Sequence, residues 1–278
     1  MTAQSTFYGV DFSGAVEAGK KIWIARAEQR DGRLHITSLT RACELPNGDK
    51  DRDSAYAALR KHVVSQPPAL WGFDFPFSLH NHLIQRESWH DFAAKFADDY
   101  PTPESLYDKG RDAASELRAA KLSSRRAVDV AAKTPFPPHN LRLYRQTYHG
   151  IRDVLAPLAR HANILPFNAH DPARPALLEI CPASTLKHLA LYKSYKGNKP
   201  DHISERRALI RAFDNKGVVI AESDRERIIA DNEGDALDAV IAAYCTFDAY
   251  RSGEIERVAE TLSTPHIEGY VYGAGLTS

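Results

Sequence analysis

The sequence predicts an α/β fold: a mixed sheet, antiparallel over strands 1–3 and then parallel, flanked by helices and carrying a large helical insertion. Three observations predict it. Short apolar runs punctuated by turn residues open the chain, a strand, a helix and a strand follow in that order, and a long helical stretch separates these from a last strand and a wholly apolar helix.

The run Phe7-Tyr8-Gly9-Val10-Asp11-Phe12 ends at Ser13-Gly14 and reads as a strand entering a turn. Lys21 to Arg26 and Leu34 to Leu39 are two further strands joined across Asp31-Gly32, so the three form an antiparallel meander. A helix over Asp53 to Val64 and a buried strand over Ala69 to Asp74 then favour a right-handed parallel crossover. From Pro76 to Pro166 the strand signal fades into polar, helical, proline-punctuated sequence, which marks residues 76–166 as a helical insertion within a single domain of residues 1–278. The sheet resumes at Ala176 to Cys181, and Pro182 suits the first turn of the helix that follows. Helices are expected over Thr185 to Leu191, Ser204 to Asp214, Asp224 to Ile229 and Asp235 to Tyr250; the last has almost no polar face and must be buried against the sheet.

Composition narrows the function. The 278 residues contain 36 Lys plus Arg against 36 Asp plus Glu, a balance that weakens any reading in which phosphates are held mainly by overall basic charge. A local basic run does occur between Lys109 and Arg126, where a solvated helix face is the ordinary explanation. Neither a membrane-length apolar run nor a signal-like segment at Met1 to Thr6 is present, so a cytoplasmic protein without membrane contact is expected. Cys43, Cys181 and Cys245 are too scattered for a disulfide scaffold. Phosphate-loop, nucleophile-elbow and dinucleotide fingerprints are absent, against P-loop enzymes, α/β-hydrolases and Rossmann dehydrogenases.

Carboxylates carry the chemistry. Asp11, Asp74 and Glu179 each sit within or at the end of an apolar strand, where an ionised group is costly unless it is paired or bound to metal. Asp235 and Asp238 are three residues apart and share a face at the start of the apolar helix. Each has an ordinary reading, Asp235 or Asn232 as a helix cap and Asp11 or Asp74 as a loop cap; their joint order, three strands and then a helix start, favours one shared pocket. Oxygen ligands of this kind suit Mg2+ or Mn2+, and two such ions about 4 Å apart assist phosphodiester cleavage.

Gly9-Val10-Asp11-Phe12-Ser13, Gly72-Phe73-Asp74-Phe75-Pro76-Phe77, Leu178-Glu179-Ile180-Cys181-Pro182-Ala183, Asp235-Ala236-Leu237-Asp238-Ala239 and Ile267-Glu268-Gly269-Tyr270 together resemble the domain of unknown function 429 family, described as predicted RNase H-like nucleases. The resemblance spans nearly the whole chain and implies an RNase H-like fold related to the RuvC-type resolvases. It matches Asp11 to a first-strand acid and Asp235 with Asp238 to the acidic helix start, and leaves open whether Asp74 or Glu179 completes the set.

Beyond the carboxylates, Lys193 and Lys196 lie in a basic, aromatic, glycine-containing loop with Lys199, and Arg142 and Arg145 flank Tyr144; these are candidate phosphate and base contacts, with a solvated loop or surface helix as the ordinary alternative. His80 and His82 lack the partners of a tetrahedral zinc site, although a loop position would set one beside the carboxylates as a proton donor. The reading is a metal-dependent phosphodiesterase, with nucleic acid as its expected substrate. Its alternatives are a non-catalytic RNase H-like module that binds nucleic acid or protein, and an actin-like phosphotransferase. The oligomeric state is left open.

Overall fold

The computed structural model describes residues 5–261 and 267–276, so the two ends of the expected 1–278 domain lie outside the described residues. Its centre is a mixed sheet of eight strands: β1 (Thr6–Asp11), β2 (Trp23–Arg30), β3 (Arg33–Arg41), β4 (Leu70–Asp74), β5 (Asn163–Ile164), β6 (Ala176–Ile180), β7 (Val218–Val219) and β8 (Val271–Tyr272). The spatial order is β5-β6-β4-β1-β2-β3-β7, with β8 also alongside β6. β1, β2 and β3 pair antiparallel, while β4, β5, β6, β7 and β8 all pair parallel to their neighbours. The two-residue turn between β2 and β3 has Asp31 at φ 50° and Gly32 at φ 74°, the left-handed pair that a tight hairpin requires.

Two apolar layers cover the sheet, and the alternation of side chains along each strand decides which layer a residue enters. Tyr8, Val10, Trp71 and Phe73 meet the helix Arg52–Ser65 and the helices of the central segment, whereas Phe7, Leu70 and Leu178 meet the helix Asp235–Arg251. That second helix, the central helix, is buried over nearly its whole length. It lies directly on β1 and β4 because both strands offer a glycine to it. A Cβ on Gly9 would stand 2.1 Å from the backbone of Ala239 and of Ala243, and one on Gly72 would stand 2.1 Å from Thr246 Oγ1. Gly9→Ala is therefore expected to force the helix off the sheet, costing about 3 kcal/mol or more and lowering the melting temperature by about 6–12 °C; a calorimetric shift under 2 °C would contradict this packing.

Residues 76–166 hold the helices Trp89–Asp99, Pro103–Ala119, Ala127–Ala131 and Tyr144–His149, the last running on through a π-helical turn at Gly150–Leu155. Ser88 and Thr102 cap the first two of these through their side chains. Near its end the segment also contributes the short strand β5, which the sequence analysis does not anticipate; β7, β8 and the helix Glu254–Thr261 are likewise additions. Two-residue strands carry too short an apolar pattern to be told from loop sequence. No helix among the described residues is long and apolar enough to cross a membrane.

Candidate metal centre

Asp11 and Asp74 are the last residues of adjacent parallel strands and stand opposite one another in register, just as Gly9 stands opposite Gly72. Each aspartate lies two residues beyond its glycine and so points to the same face, towards the central helix. The helix arrives with its N-terminal turn over these strand ends. Carboxylate oxygens of Asp11, Asp74 and Asp238 come within 4.8 Å of one another. The close approach at the glycines and the convergence of the acids thus have one cause, the seating of the helix on bare backbone.

Asp235 and Asp238 do not serve as the helix cap. Gly234 takes the N-cap position at φ 78°, and Asp231, reaching over the turn, accepts from the Ala236 N–H at 2.8 Å. With the capping role held by Asp231, both later acids are left for the pocket. Asp238 is buried; its Oδ1 accepts from the Tyr195 hydroxyl at 2.5 Å and its Oδ2 lies 2.6 Å from Lys196 Nζ. Lys196 also reaches Asp235 at 3.5 Å.

The electrostatics are those of too many carboxylates for one lysine. Burial, then Asp235, holds the Asp11 carboxyl well above the ordinary carboxylate range against the opposing pull of Lys196. Burial, then Asp238, pushes Asp74 up to about 8, and burial pushes Asp235 up to about 6. For Lys196, burial works to lower the pKa, but the carboxylates of Asp238 and Asp11 outweigh it and keep the ammonium above its usual value. Buried oxygen donors with a net deficit of positive charge fit a hard divalent cation such as Mg2+ or Mn2+.

Glu179 borders the same cleft as Asp74 and Asp238 but is engaged by a different partner. It pairs in register with Phe73, one residue short of Asp74, and so projects from the opposite face of the sheet. There its Oε1 meets Arg126 at 2.5 Å and its Oε2 accepts from the Phe77 N–H at 2.9 Å. Arg126, fully buried, also grips Asp129 with Nε at 2.9 Å and Nη2 at 2.8 Å, and donates to the Glu268 carbonyl at 3.0 Å. Glu268 itself accepts from the backbone of Asn81 and of Ala127, both at 2.8 Å. The motif around Glu268 thus ties the central segment to β6 and β8.

A cleft of about 600 Å³ opens beside Asp74 and Asp238, with Phe136, Arg142, Tyr192 and Lys193 on its walls. Of the candidate basic residues, Lys196 sits among the carboxylates, Lys193 borders the cleft while paired with Glu205 at 3.0 Å, and Arg142 stacks over Phe136 at 5.5 Å. Arg145 pairs with Glu104 at 3.1 Å outside the cleft wall, and Tyr144 is buried beside it. His80 caps the 3-10 turn Asn81–Leu83 and His82 lies within it, near Glu116 at 3.4 Å, and neither borders the cleft. Sequence reasoning missed Tyr195, Gln146, which donates to the Asp74 carbonyl, and the clamp residue Arg126. The Lys-Ser-Tyr-Lys loop signal pointed to the first of these; nothing local in the sequence marks the other two.

Searches of curated proteins and of solved structures give no match. A family profile does match, over residues 9–262, a span that takes in Asp11, Asp74, Asp235 and Asp238; the chain belongs to the family described as "Protein of unknown function (DUF429)".

Proposed function

We propose that this protein is a divalent-metal-dependent phosphodiesterase that cleaves nucleic acid on an RNase H-like scaffold. The observation that carries the reading is the convergence of Asp11, Asp74 and Asp238 from two strand ends and a helix start. The order of the five central strands, β3-β2-β1-β4-β6 with the first three antiparallel, supports the scaffold. Asp11, Asp74 and Asp238 would hold Mg2+ or Mn2+, which when bound offsets charge on the phosphate and lowers the pKa of water at the site. Lys196 supplies a fixed cation beside these acids, and Gln146 steadies the β4 end through the Asp74 carbonyl. The cleft accepts the substrate's flanking nucleotide: Arg142 and Lys193 suit its phosphates, and Tyr192, which is exposed at the rim, offers a stacking surface for a base.

The test is cleavage of labelled single-stranded, duplex and branched DNA and RNA with Mn2+, Mg2+ or EDTA, comparing wild type with Asp11→Asn and Asp238→Asn. Cutting that needs the metal and vanishes in both variants is expected. Absence of cutting on every substrate, with binding retained in EDTA, would replace the enzyme with a binding module. Base stacking contributes about 1–3 kcal/mol, so Tyr192→Ala should raise KM about tenfold while leaving kcat nearly unchanged; an unaltered KM removes Tyr192 from the substrate path.

A further inference from the structure

We infer that Lys196 is the second cationic centre of the site: the aspartate cluster takes one divalent ion, and the Lys196 ammonium stands where a second ion would otherwise bind. The inference rests on the metal reading above and specifies its stoichiometry.

The four aspartates divide into two overlapping groups. Asp11, Asp74 and Asp238 offer oxygens to one another's vicinity, which is room for one ion. A second ion would draw on Asp235 and share Asp238, the two acids one helical turn apart. That place is held by Lys196 Nζ, 2.6 Å from Asp238 Oδ2 and 3.5 Å from Asp235 Oδ1. A divalent ion placed between Asp235 Oδ1 and Asp238 Oδ2 would take the position of the ammonium itself and would have to displace it.

The Lys196 side chain is half exposed, but the chain on both sides of it is held. Fully buried Arg206 donates from Nη1 to the Tyr195 carbonyl at 2.6 Å and to the Gly197 carbonyl at 2.9 Å, bracketing Lys196. The Gly197 N–H donates to the Asn232 carbonyl at 2.6 Å, joining this loop to the turn before the central helix. Tyr195, next in the chain, donates to Asp238 Oδ1 at 2.5 Å. The side-chain stem crosses Gly234, where a Cβ would come within 3.1 Å of Lys196 Cγ. With its backbone anchored and its ammonium held between Asp238 and Asp235, Lys196 presents its charge in a fixed place. Lys196 also borders both the cleft beside Asp238 and the groove beside Asp11, so its ammonium faces the space where a phosphate oxygen would lie.

The experiment is titration of the full chain with Mn2+, with free ion followed by electron paramagnetic resonance and bound ion by calorimetry. Wild type is expected to bind one ion per chain. Lys196→Ala, with Asp235 and Asp238 released, is expected to bind two, and Lys196→Arg, which keeps the charge, one. Should Lys196→Ala fail to fold, Lys196→Gln removes the charge at similar length and carries the same comparison. Two ions on wild type, or one ion on both wild type and the uncharged variant, would overturn the inference while leaving the metal reading in place. No ion bound by wild type would overturn both.

Discussion

Asp11→Asn raises the melting temperature of the metal-free protein and at the same time removes the stabilisation that Mg2+ or Mn2+ gives the wild type. The two effects have opposite signs for one reason. Asp11, Asp74 and Asp235 have carboxyls held above the ordinary range, Asp74 at about 8 and Asp235 at about 6, so the fold favours their protonated forms. A group with a raised folded pKa contributes stability that is fully present below its unfolded value, about 4 for Asp, and is lost as pH rises through the folded value. Metal-free wild type should therefore melt lower at pH 9 than at pH 6, the window set by Asp235 and Asp74, and Asp11→Asn, with one ionisable acid fewer in the cluster, should show a shallower decline. An ion at about 100 times its Kd adds about 2.7 kcal/mol, a rise of about 5–10 °C that the variant should lack. Calorimetry of both proteins in EDTA and in Mn2+ at the two pH values reads each of these effects. A wild type that gains stability between pH 6 and 9 without metal, or a variant stabilised by Mn2+ as much as wild type, would contradict the site.

Arg126→Ala is expected to have the largest effect on folding alone. It strips the partner from Asp129 and Glu179, both buried, and removes a donor to the Glu268 carbonyl. Breaking a buried ion network on one side costs about 3–5 kcal/mol, or about 6–20 °C in melting temperature. Arg126→Lys should fall nearly as far, since an ammonium cannot reproduce the forked contacts to two carboxylates. Replacing all three members with apolar residues, Arg126→Met with Asp129→Leu and Glu179→Leu, should recover most of the loss, because no charge is then left buried alone. In the same series Glu179→Gln tests its role directly: stability falls, while Mn2+ affinity stays within about threefold of wild type, as expected for a group tied up with Arg126. A loss of more than tenfold would make Glu179 a ligand.

The motif-bearing elements were legible because their signals are local. Phe7 to Phe12 alternates between the two apolar layers, Asp31-Gly32 needs left-handed φ at both positions, and Ala236 to Ala243 has no polar face to expose. β5, β7 and β8 escaped because two residues of pairing leave no periodic trace; they exist only where the edges of β6 and β3 supply partners. The helix start illustrates the same limit within the site. Asp231, Asn232, Asp235 and Asp238 are all plausible caps by type, and only the path of the turn through Gly234 hands the role to Asp231.

The sequence by itself determined which acids were placed expensively: Asp11, Asp74 and Glu179 at or near the ends of apolar strands and Asp235 with Asp238 at the head of an apolar helix, since burial of a carboxylate demands a partner whatever the fold. Which partner each obtained was decided only in three dimensions. The register of β6 against β4 turns Glu179 to the opposite face, into the grip of Arg126, 53 residues away in sequence. The bare backbone at Gly9 and Gly72 lets the central helix settle onto β1 and β4, which carries Asp238 to Asp11 and Asp74. The physical reason is that side-chain parity and helix approach are set by strand pairing and packing between distant segments, and no local pattern records either.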